Sequence, residues 1–207
     1  PEVLEAVIKA NDGIVPPYGN DEISGVLQEK FSKIFEKDVI VYPTASGTAS
    51  NALALSAISP SFGNIYCHKF SHINVDECGA PEFYTGGAKL VPLNGEDGKI
   101  TTEELKNSIG GFGIVHHTQP SIVSITQATE TGEVYTLEQI KNISEITHKH
   151  NLKMHMDGAR FANALVSLDV SPAEMTWKSG IDILSFGATK NGCMAAEAII
   201  IFDKDLV

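Results

Sequence analysis

The chain has 207 residues, 43% hydrophobic and 20% charged, enough for one good-sized domain with a real core. Fifteen basic and 26 acidic residues leave a net charge of −11, which argues against nucleic acid or an anionic membrane as main partner, since both ask for a basic surface. No apolar run approaches the ~18 residues of a transmembrane helix, and no signal-peptide pattern is read at the start. Three cysteines without a CxxC suit a reducing cytoplasm better than a disulfide framework.

Residues 1–10 already read as helix, Pro1 is not an initiator methionine, and Val207 falls just after a strand, so the chain is expected to be part of a longer one. Residues 20–36 are the clearest helix: Ile23, Val26, Leu27, Phe31, Ile34 and Phe35 share one face, and Asn20 is the expected cap. "VIVY" (39–42) is a short strand, and "SGTASNALALSAI" (46–58) is a helix that begins in small polar residues. "NIYC" (64–67), "AKLVPL" (88–93) and "SIVSIT" (121–126) are strands. Residues 101–109 and 136–150 are helices opened by Thr101 with Glu104 and by Thr136 with Gln139, both at capping-box spacing. "LKMHM" (152–156) runs as a strand into Asp157, and "SPAEMTWKSG" (171–180) is a short helix with Pro172 in its first turn. "DILSF" (182–186) and "AEAIIIF" (196–202) are the last strands. This alternation predicts an α/β fold, a mostly parallel sheet with helices on both faces, and shows no domain boundary inside the chain.

Such sheets bind ligands at the carboxyl ends of their strands, so the residues just after strands carry the functional reading. "TASGTASN" (44–51) turns from strand to helix through Ser46, Gly47 and Thr48, where free N–H groups and hydroxyls suit a phosphate or serve as a plain helix cap. Asp157 follows an apolar strand with Arg160 three residues on, which reads as a ligand-facing carboxylate, an Asp157–Arg160 pair or a cap. His72 and Asp76 stand at i, i+4 on one helical face. Cys67, His68, His72 and Cys78 are too irregularly spaced for a zinc site, and His116, His117, His148 and His150 receive no role. Lys190 follows the strand Ile181–Phe186 in a nest of Gly, Ala and Thr. A lysine in a pocket attacks carbonyls to form a Schiff base. A phosphate cradle, a lone aspartate, a flat ring and a lysine are what pyridoxal phosphate asks for.

The segments "YGNDEISGVLQEKFSKIFEK", "ASGTASNALAL", "SHINVDECGAPEFYTGGAKL", "TQPSIVSITQATETGEVYTLEQI", "HMDGARFANALVSL", "SPAEMTWKSGIDILSFGATKNG" and "AAEAII" run in order across almost the whole chain. In them the chain resembles the low-specificity L-threonine aldolases, within the aromatic amino acid β-eliminating lyase and threonine aldolase family of fold-type-I pyridoxal-phosphate enzymes. The resemblance implies a fold-type-I, transferase-like large domain over residues 1–207. It implies aldol cleavage of L-threonine, L-allo-threonine and related β-hydroxy-α-amino acids to glycine and an aldehyde, by a cytoplasmic homodimer or homotetramer with a shared site. Lys190 would hold the cofactor's aldehyde, Asp157 its ring nitrogen, and Ser46, Gly47 and Thr48 its phosphate, with Thr189 nearby. His72 would stack on the ring, with Asp76 behind it. Arg160 would lie by the substrate carboxylate or the cofactor's 3-oxygen, and Tyr18 and Gly19 would reach a site across the dimer.

The resemblance also departs at one point. Some members carry a second histidine after the "SITQ"-like strand, where this chain has Thr129 or Glu130, so a water or His72 is left as the general base. An N-terminal serine-aspartate segment and a C-terminal small domain with a second substrate arginine are not in this chain, which is not expected to catalyse efficiently without them. The rival readings are another fold-type-I enzyme, a β-eliminating lyase or aminotransferase, and a non-catalytic nucleotide-binding domain.

Overall fold

Seven strands form one sheet, and they are the seven stretches expected from the pattern: β1 (Ile40–Thr44), β2 (Gly63–His68), β3 (Lys89–Leu93), β4 (Gln119–Thr126), β5 (Lys153–Gly158), β6 (Ile183–Gly187) and β7 (Glu197–Ile201). The computed structural model describes residues 1–206. The spatial order is β1-β7-β6-β5-β4-β2-β3. Neighbours pair in parallel from β6 through β3, whereas β7 runs antiparallel to both β6 and β1. The sheet is therefore mixed, with one reversed strand.

In the central strands successive side chains alternate between two covered faces, as a pleat of period two requires. Met154, Met156, Leu184 and Ile200 point into the larger core. Burying each of these side chains is worth roughly 1.5–3 kcal/mol. That core also takes Phe35, just past α2 (Glu22–Ile34), Leu105 of α6 (Thr102–Ser108), Ile140 and Ile143 of α7 (Leu137–Lys149), and Phe161 of α8 (Phe161–Leu168). The opposite face packs under α3 (Gly47–Ile58), whose Leu55 and Ala54 meet Ile65, Ile122, Ile183 and Ile199. The shorter helices α4 (His72–Val75), α5 (Ala80–Tyr84) and α9 (Pro172–Met175) connect these layers.

Several local expectations change. Asp21, not Asn20, caps α2: its side chain accepts from the Ser24 N–H at 2.9 Å. Only part of the expected apolar face of α2 reaches the core: Phe31 and Phe35 pack inward, while Ile23, Val26 and Ile34 stay exposed. Thr136 and Gln139 form a complete capping box. Thr101 forms half of one, since the Glu104 carboxylate accepts from Asn94 N–H instead. Residues 171–180 split into α9 and a 3-10 turn, and α8 was not foreseen. The first helix, α1 (Glu2–Ala10), buries none of its residues.

Two histidines give stability opposite pH slopes. His155 is wholly buried on the α3 face, bridging Ser124 Oγ (2.8 Å) and Ser185 Oγ (3.0 Å). Burial pushes its pKa from 6.5 down to about 4, against the pull of the nearby Asp157 charge. The unfolded chain binds that proton and the folded one does not, so stability falls as the pH drops from ~6.5 toward about 4. A hydrogen bond to Asp182 (2.9 Å) raises His148, so its contribution is full below ~6.5 and is lost as pH rises through the folded value. His155→Asn, which cannot titrate, is expected to lessen the stability lost between about pH 7 and pH 4.5 by roughly 2–3 kcal/mol, read by urea unfolding. Equal losses in the two proteins would show that His155 is not held neutral.

Candidate active site

The carboxyl ends of β1, β4, β5 and β6 and the start of β7 meet at one edge of the sheet. A cleft of about 250 Å³ opens there, lined by Ser46, Gly47, Thr48, Asn51, His72, Glu130, Asp157, Arg160, Thr189, Lys190 and Glu197. Nine of the expected residues thus stand around one cleft. Tyr18 does not line it, being 97% exposed with a left-handed backbone.

Each side chain arrives by a simple route. Ser46 caps α3, its Oγ accepting from the Ala49 N–H at 3.2 Å, so the other first-turn N–H groups face the cleft edge. One turn further, Asn51 points back at the sheet. Its Nδ2 donates to Asp157 Oδ2 at 2.9 Å and to Glu77 Oε1 at 2.7 Å. Asp157 lies on the α3 face of β5 and is almost wholly buried, with Oδ1 accepting from the Ala159 N–H at 3.0 Å. It forms no Asp157–Arg160 pair. Arg160 starts α8 and lines the cleft with its charge unpaired among the described residues. The ends of β5 and β6 come so close that a Cβ on Gly158 would stand 2.9 Å from Ser185 O. One on Gly187 would stand 2.9 Å from Ala159 Cα. Glycine is required at both positions for this approach.

Lys190 sits in the 3-10 turn Thr189–Asn191 after β6. It is exposed rather than enclosed, and it has no ion-pair partner among the described residues. The Thr189 hydroxyl accepts from the Ala196 N–H at 3.2 Å and ties this turn to the start of β7.

The partner of His72 differs from the expected one. Helix α4 stops at Val75, so Asp76 is its C-cap and faces solvent. The neighbouring Glu77 turns inward, and His72 Nδ1 lies 2.8 Å from Glu77 Oε1. Burial pushes the Glu77 carboxyl up; hydrogen bonds from Asn51 and His72 pull it back, and the Asp157 charge adds to the rise. Of the two candidates in the loop after β4, Thr129 is wholly buried and bonded to Asp97 O at 3.0 Å, whereas Glu130 reaches the cleft. Glu130 Oε1 accepts from the His72 N–H at 2.8 Å, and its buried Oε2 has no protein partner. Among the described residues no three His, Cys, Asp or Glu side chains gather to hold a metal ion. His68 instead contacts Gly95 O at 3.3 Å.

Sequence reasoning missed Asn51, Glu77 and Glu197. Asn51 was legible as the residue one turn beyond Gly47 on the same helical face. Glu197 was hidden because it opens its strand rather than following one.

The beta-eliminating lyase family model matches residues 1–207. The chain is 43% identical over its full length to a low specificity L-threonine aldolase of Pseudomonas sp. (strain NCIMB 10558), and 42% identical to the one of Pseudomonas aeruginosa. It spans 60% of the length of each. A solved structure of Leishmania major threonine aldolase superposes with a TM-score of 0.92 at 28% identity, over all of this chain and 60% of that one. Sequence and fold agree along the whole chain: it belongs to the beta-eliminating lyase family.

Proposed function

We propose that residues 1–207 form most of the large domain of a pyridoxal-phosphate-dependent threonine aldolase. The reaction is cleavage of L-threonine, L-allo-threonine and related β-hydroxy-α-amino acids to glycine and an aldehyde. The observation that carries this reading is one cleft with three features: a lysine, a buried aspartate fed by an asparagine, and a helix N-terminus with free N–H groups. Similarity to the named aldolases supports it. Because those relatives are longer than this chain, the activity is assigned to a protein of their length.

The residues fit the cofactor by chemistry. Asp157 is a buried carboxylate with two hydrogen bonds and no lysine or arginine partner among the described residues, and it suits a protonated ring nitrogen. The first turn of α3 suits a phosphate. Bound there, pyridoxal phosphate supplies an aldehyde for amines and a protonated ring that takes up the electron pair of a broken bond to Cα. Lys190 is the residue that would hold that aldehyde. Arg160, with its planar fork, holds and orients the substrate carboxylate. His72 covers the ring. Of two acceptors without a protein partner, His72 Nε2 and Glu130 Oε2, one would receive the proton of the β-hydroxyl.

Tyr18 and the bare faces of α1 and α2 are assigned to a homo-oligomer whose subunits share the site. The three free cysteines suit work in the cytoplasm.

Borohydride reduction of the full-length protein with pyridoxal phosphate, followed by peptide mapping, is expected to put the adduct on Lys190. An adduct elsewhere overturns the reading. Asp157→Ala is expected to lower kcat for threonine cleavage on the order of 10²–10³-fold, the scale of losing one preorganised electrostatic group. Unchanged kcat would remove Asp157 from the site. Glu130→Gln is expected to lose roughly 10²-fold or more in cleavage while still binding glycine, judged by the cofactor's absorbance. Pyruvate and ammonia instead of glycine and an aldehyde would identify a β-eliminating enzyme.

A further inference from the structure

The deepest part of the cleft is one continuous hydrogen-bond chain. Asn51 Nδ2 gives one hydrogen to Asp157 Oδ2 (2.9 Å) and the other to Glu77 Oε1 (2.7 Å), and the same Oε1 lies 2.8 Å from His72 Nδ1. Both amide hydrogens are spent, and the Asn51 Nδ2 position is fixed by two carboxylates from different segments. The Glu77 side chain is fully buried, with a second oxygen that has no partner. As a carboxylate Glu77 has no proton to give, so Oε1 accepts from His72 as it does from Asn51, and the proton between them belongs to Nδ1. Nε2 then carries the lone pair on the cleft side. His72 is fixed a second time by its N–H on Glu130 Oε1 (2.8 Å). Arg160, Lys190 and Glu197 are the other charged groups around the same cleft.

We propose that Glu77 and Asn51 are positioning residues for His72: Glu77 fixes the Nδ1–H tautomer, and Asn51 locks Glu77 to Asp157, so the ring-facing histidine and the buried aspartate move as one unit. No expected role covered either residue. The proposal rests on the aldolase reading for its kinetic consequence, but not for its tautomer.

The test uses full-length protein with ¹⁵N-labelled histidine, at a pH where His72 is neutral. His72→Gln assigns the signals. The wild type is expected to show His72 as the Nδ1–H tautomer, and Glu77→Leu, close in volume, to lose that signature. Glu77→Gln keeps an acceptor oxygen of the same reach and is expected to retain the tautomer. In threonine cleavage, Glu77→Leu is expected to lose roughly 10²-fold in kcat with KM little changed, and Glu77→Gln to lose less. A wild-type ring in the Nε2–H form, or a Glu77→Leu spectrum identical to wild type, overturns the proposal. The wild-type spectrum decides even if the leucine variant does not fold. If the wild type shows the Nδ1–H form but cleaves no β-hydroxy amino acid, the aldolase reading fails and the tie stands.

Discussion

The amide of Asn51 is the contact on which the candidate site depends. It joins α3 to β5 through Asp157, and both to the loop after α4 through Glu77. Withdrawing a carboxylate from water costs several kcal/mol, and a hydrogen bond to a charged group returns roughly 1.5–3 kcal/mol. Asp157 receives two such bonds and Glu77 two, with no lysine or arginine paired to either among the described residues. Their burial is thus only partly offset from within the chain. A cationic group arriving at Asp157 completes the balance, and this is the physical reason the cleft suits a protonated nitrogen.

That contact demands a particular fold around it. α3 must lie close on the sheet for so short a side chain as asparagine to reach β5, and its buried side is mostly small: Ser50, Ala52 and Ala54. β5 and β6 must draw together at their ends, which Gly158 and Gly187 permit. The reversed strand β7 places its first residue, Glu197, opposite both Gly187 and Thr44, so an amino-terminal residue joins an edge otherwise built from carboxyl ends.

Much of this was legible in the residues. Short apolar runs, most with β-branched residues, marked every strand, and the positions just past the expected strand ends held Ser46, Asp157, Arg160 and Lys190. His72 and Glu130 were found from local pattern and resemblance. What stayed hidden depended on where a helix stops or which way a strand runs. Asp76 sits at helical spacing from His72, but α4 ends one residue earlier, and the next residue, Glu77, turns in instead. Asn20 was read as the cap of α2 where Asp21 serves, and only backbone geometry separates adjacent capping residues. The apolar residues of α2 were read as one face, yet periodicity cannot say whether the partner surface lies in the same chain.

Charge in the cleft is sorted by depth, and this sorting has a consequence for how a ligand lies. Asp157 and Glu77 are almost wholly buried, while Lys190 and Ser46 are exposed and Arg160 is half-buried. His72 stands between, half-exposed, with Nδ1 tied to the deep side. The positive end of α3 stands with Lys190 and Arg160 on the outer side, where the Glu197 carboxylate also lies beside Gly47. The buried end of the cleft therefore favours a cationic group over an anionic one. An anion there would stand against two buried carboxylates, a like-charge encounter in the region of lowest dielectric.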